Sequence, residues 1–127
     1  MGLDMYALAT RRNVTQEVDF EFDFEADEMT TVKFHGWRKH PDLHGWMERL
    51  YREKGGAEHF FNCATVKLTI ADLDRLEADI RGKRLPRTTG SFFGESDGSE
   101  AEDDLEFVRE AREIIANNLT VFYTSSW

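Results

Sequence analysis

Apolar and acidic residues alternate through residues 17–25. Val18, Phe20, Phe22 and Phe24 interleave with Glu17, Asp19, Glu21, Asp23 and Glu25. A period of two predicts a strand with an aromatic face turned inward and a carboxylate face turned to water. Residues 3–10, with Met5, Tyr6 and Leu8, predict an earlier strand, and Arg11-Arg12-Asn13 a turn. Residues 31–37 predict a return strand, with Val32 and Phe34 on one face and Lys33 and His35 on the other. In a hairpin, Lys33 and His35 would lie across from the acidic row and relieve part of its repulsion.

The spacing then turns helical. Leu43, Trp46, Met47 and Leu50 recur at i, i+3, i+4 and i+7, behind a His40-Pro41-Asp42 start and ahead of a Gly55-Gly56 stop. Thr69 and Asp72 predict a capped helix over 70–81, with Leu73, Leu76 and Ile80 facing inward and Gly82 ending it. Ser99 and Glu102 predict the cap of a third helix over 101–116, striped by Leu105, Val108, Ala111 and Ile115. Residues 64–68 and 119–124 read as strands. The order predicts one α+β domain over residues 1–127. Its sheet is mixed or antiparallel with about five strands, and its three helices lie mainly on one side. Phe92 and Phe93 should pin the long irregular stretch over 85–98 to the body.

Composition narrows the function classes. Aromatics make up 13% of the 127 residues and apolar residues 40%, enough for a packed core. The formal net charge is −9, and it is segregated: residues 17–28 hold seven acids and no base, and residues 95–106 hold seven more and no base. That acidity argues against direct nucleic-acid binding, which needs a basic footprint. Arg81, Lys83, Arg84 and Arg87 form a short basic cluster, read as a solvated turn. The chain shows neither a membrane span nor a secretion signal, and the single Cys63 suits a reducing, cytoplasmic setting. Cys63 itself is expected as a small buried residue.

The chemistry-bearing positions are few. His40 and His44 are four apart at a helix start, a spacing that can present two imidazoles to one metal or serve general acid/base work. Glu95 and Asp97 give the 94–100 segment a partial likeness to a calcium loop, but the EF-hand spacing is absent. No phosphate-binding or dinucleotide glycine motif is present, and no cofactor is expected. Trp37, Arg38 and His40 sit at a strand-to-helix junction and are the binding-pocket candidates, with Arg38 suited to an anionic group.

Four segments carry a resemblance: the opening Met1-Gly2-Leu3-Asp4-Met5-Tyr6, residues 37–47, residues 92–100, and the closing Tyr123-Thr124-Ser125-Ser126-Trp127. Together they resemble a group of short uncharacterised bacterial and phage proteins, some bearing the genome label phosphoglycerate kinase. The resemblance implies a phage- or mobile-element-linked context and brings no activity with it.

Three functions follow as expectations. The first is a non-catalytic binding protein that meets a protein partner through its acidic strand face, at Glu21 and Asp23, and through the Trp37-Arg38-His40 cluster, with Glu95 and Asp97 also among the binding candidates. The second is a small metal-dependent or acid/base enzyme acting on an anionic substrate, with Trp37, Arg38, His40, Asp42 and His44 around a cleft and Glu95 and Asp97 brought in by the loop. The third is a nucleic-acid mimic built on the carboxylate row. Convergence of His40 or His44 with the 94–100 segment in one concavity would favour the enzyme.

Overall fold

Alternation in the first strand sends Leu3, Met5 and Ala7 into a core beneath the helices, while Leu8 enters a second, smaller core on the opposite face. This strand is therefore covered on both sides. In the computed structural model, which describes residues 2–127, it is β1 (Asp4–Thr10). It is followed by β2 (Thr31–Arg38), α1 (Pro41–Glu53), β3 (Val66–Leu68), α2 (Ile70–Arg81), α3 (Ala101–Ala116) and β4 (Thr120–Ser126). The architecture is α+β, with one four-stranded antiparallel sheet in the order β2-β1-β4-β3.

The helices form where local signals dictate. Pro41 opens α1, and the Thr69–Asp72 capping box closes reciprocally at the start of α2. The cap of α3 differs from expectation: Glu100 is its N-cap residue and gives no side-chain cap. The Glu100 carboxylate instead accepts the backbone N–H groups of Asp97 and Gly98, at 3.3 and 2.9 Å.

The acidic-aromatic segment is not a strand. Val18 makes a single bridge to Val66, and Asp19 then adopts a left-handed φ of 56° that breaks the extended path. Beyond it, Phe20 and Phe22 lie across the far face of the sheet, each 5.1 Å edge-on to Phe122. That face is apolar and has no helix to cover it, so ring burial outweighs strand pairing. The sheet accordingly has four strands, and β2 pairs with β1 rather than with the acidic segment.

A register shift between Ala7 and Leu8 leaves Phe34 as an extra residue on β2. The bulge turns two consecutive side chains, Phe34 and His35, onto the same ring of α3, with centroids 5.9 and 5.7 Å from Phe107. Lys33 takes the opposite face, its Nζ 5.2 Å from the Tyr6 ring centroid.

Candidate functional site

Three constraints aim His40 inward. Strand β2 ends at Arg38, Lys39 turns the chain with a φ of 57°, and Pro41 keeps the preceding residue out of the helical well. The His40 ring is buried between the start of α1 and the first turns of α3. Its Nε2 lies 2.8 Å from Asp104 Oδ2, and its Nδ1 lies 2.7 Å from Ser96 Oγ. Asp104 Oδ1 accepts the indole N–H of Trp37 at 3.0 Å. Ser96 Oγ also accepts the backbone N–H of Asp42 at 3.1 Å, so a serine from the 85–98 stretch caps α1 in place of a local residue.

The direction of each bond follows from what the groups can donate. The indole is a donor only, so Asp104 accepts from Trp37. Asp104 accepts a second bond from His40 Nε2–H. In the neutral form of the ring that bond leaves the lone pair on Nδ1, positioned to accept the Ser96 hydroxyl at 2.7 Å. Hydroxyl, imidazole and carboxylate stand in the order of a nucleophile, its base and the group that orients the base. Glu100 Oε2 is a further 3.7 Å from His40 Nδ1.

These groups line a cleft of about 640 Å³. Its apolar wall is Ile80, Leu85, Ala101 and Leu105; Arg81 and Lys83 stand on its rim, and Asp42, Asp97 and Glu100 complete the lining. Hydrogen bonds from Ser99 hold the Asp97 carboxyl below its usual range, and that residue stays with its own turn.

The other predicted site residues go elsewhere. His44 lies on α1 facing the main core, where its Nδ1 is 2.7 Å from the Tyr123 hydroxyl and its ring is tilted against Phe61 and edge-on to Phe93. Burial lowers its pKa to about 4, against a weaker opposing bond to the Phe61 backbone. His40 and His44 are thus committed to different partners, and no group of three or more His, Cys, Asp or Glu among the described residues is arranged to hold a metal ion. Arg38 is exposed and bonds Asp4 at 3.2 Å instead of lining the cleft, and Glu95 is exposed outside it. Trp37 contributes through Asp104 rather than as a pocket wall. Glu21 and Asp23 line a separate groove under β1. Cys63 is exposed, contrary to expectation, because its left-handed backbone and its N–H bond to Ser125 O hold it at the surface. Trp127 packs back onto Phe93 and donates its indole N–H to Phe61 O.

Ser96 and Asp104 escaped the sequence reading. They stand 56 and 64 residues from His40, and neither belongs to a local motif. The one available signal was an acid inside the first turns of α3 on the same side as Val108 and Ala111. Comparison with family models, curated proteins and solved structures found no match to this chain.

Proposed function

We propose that the chain is a small hydrolase in which Ser96, His40 and Asp104 cleave an ester with an apolar acyl group. The observation that carries this reading is the unbroken hydrogen-bonded series from Ser96 Oγ through His40 to Asp104, at 2.7 and 2.8 Å, on the wall of a cleft. Ser96 Oγ attacks the ester carbonyl carbon while its proton passes to His40 Nδ1. The carbon–oxygen bond to the alcohol breaks, and Nδ1 returns the proton to the departing alkoxide. Water then attacks the acyl-serine, giving its proton to Nδ1, and the acid leaves as Ser96 regains its hydrogen. Asp104 holds the Nε2–H tautomer throughout and offsets the imidazolium charge. Trp37 holds Asp104 and is a positioning residue. The four apolar side chains suit a short acyl chain, and Lys83 suits an anionic group at the mouth, Arg81 being paired with Glu77.

The test is hydrolysis of p-nitrophenyl butyrate together with labelling by a fluorophosphonate. The expected result is turnover above buffer and a single adduct on Ser96, both lost in Ser96→Ala. General-base assistance typically contributes 10²–10⁴-fold, so His40→Gln should lower turnover by about that factor. Absence of an adduct on the folded wild type, or Ser96→Ala hydrolysing at the wild-type rate, overturns the reading.

A further inference from the structure

The far side of the sheet carries a groove of about 1060 Å³, independent of the His40 cleft. One wall is aromatic. Phe24 stands edge-on to both Tyr6 and Phe22, with centroids 5.7 and 4.8 Å apart, and it remains 53% exposed. The other wall is acidic, from Glu21, Asp23, Glu25 and Asp27; Arg12 is the cation among the described lining residues, and Lys33 Nζ stands 5.2 Å from the Tyr6 ring centroid at the edge.

Many acids elsewhere on the surface are paired, as Glu17 is with Lys54, Glu53 with Arg75, and Glu77 with Arg81 and Arg112; among the described residues, Glu28, Glu58, Glu95 and Glu102 are scattered exceptions. In the groove Arg12 is taken by Asp27, and Asp23 accepts the N–H groups of Glu25 and Ala26. Among the described residues, no cation pairs with the carboxylates of Glu21, Asp23 or Glu25. An exposed aromatic face beside uncompensated carboxylates is the chemistry that binds a cation carried on an apolar stem, through ring quadrupole and charge together.

The geometry points to a docking groove for a basic peptide of a partner protein, with an arginine or lysine between apolar neighbours. The cation lies against Phe24, the Tyr6 ring being already faced by Lys33 Nζ, beside the wall formed by Glu21, Asp23 and Glu25, and the flanking apolar side chains cover Phe22. The two walls make separable demands. Charge alone would accept any polycation, whereas the rings require the stem and its apolar neighbours.

The test is an array of octapeptides with a central Arg or Lys flanked by Leu or Phe, beside matched peptides with Gln or Glu at the centre and others with Ser flanks. Hits are followed by fluorescence polarisation at low and high salt. The expected result is binding of the basic apolar peptides, weakened at least tenfold by Phe24→Ala and by Glu21→Lys/Asp23→Lys, with Ser96 labelling intact. No binding of any basic peptide overturns the proposal. So does equal binding of the Ser-flanked set or indifference to Phe24→Ala, because either would mean charge attraction without a groove.

Discussion

His44 is neutral because the core leaves its charge no solvent. The unfolded ring titrates near 6.5 and the folded one at about 4, so the unfolded chain binds the proton first as pH falls. Stability is complete above the unfolded value and declines as pH drops through that window, by about 3 kcal/mol in all. Urea midpoints measured from pH 7.5 to 4.5 should show this slope, and His44→Gln should flatten it. Trp37→Phe removes the indole donor from a carboxylate that is 1% exposed, and should lower stability by about 1–3 kcal/mol in the same assay. Single residues were the least legible part of the sequence. His40 announced itself through Pro41, but a hydrogen bond to a residue more than fifty positions away leaves no trace in local spacing. The i, i+4 spacing of His40 and His44 does not bring their rings together, because the turn at Lys39 and the Pro41 start give the two rings different surroundings.

Helices were legible because their signals are short-ranged. Pro41, the Thr69–Asp72 pair and Gly82 each act within a turn, and they bound α1 and α2 where the sequence predicts. Thr69→Ala should cost about 1 kcal/mol by urea unfolding, since it removes an oxygen that accepts the Asp72 N–H. The acidic-aromatic segment was misread for the converse reason. Alternation identifies which residues are apolar, but what they cover depends on a sheet face assembled from β1 and β4. Bulging at Phe34 was likewise invisible, since the ring that Phe34 and His35 both meet, Phe107, lies on α3. One contact between elements bears on the cleft directly. A Cβ added at Gly45 would lie 1.9 Å from Thr88 Oγ1 and 2.9 Å from Thr88 Cβ. Gly45→Ala should therefore push the 85–98 stretch off α1, lower stability by about 1–3 kcal/mol and reduce Ser96 labelling. Adding Thr88→Gly should restore both.

Across the molecule, charge and shape distinguish two faces of the surface. The helix side holds the His40 cleft, and the opposite side holds the acidic-aromatic groove. The net charge of −9 signalled the second only as a bias, because acids such as Glu17 and Glu53 are answered by a neighbouring base while Glu21, Asp23 and Glu25 of the groove are not. The sheet that separates the faces has β1 and β4 at its centre, paired from Asp4↔Ser126 through Thr10↔Thr120. Its middle seam therefore joins stretches more than a hundred residues apart, and nothing local can zip it. Opening that seam exposes both cores at once. Its amides should exchange with deuterium only when the entire molecule comes apart, while those of the 85–98 stretch exchange far sooner.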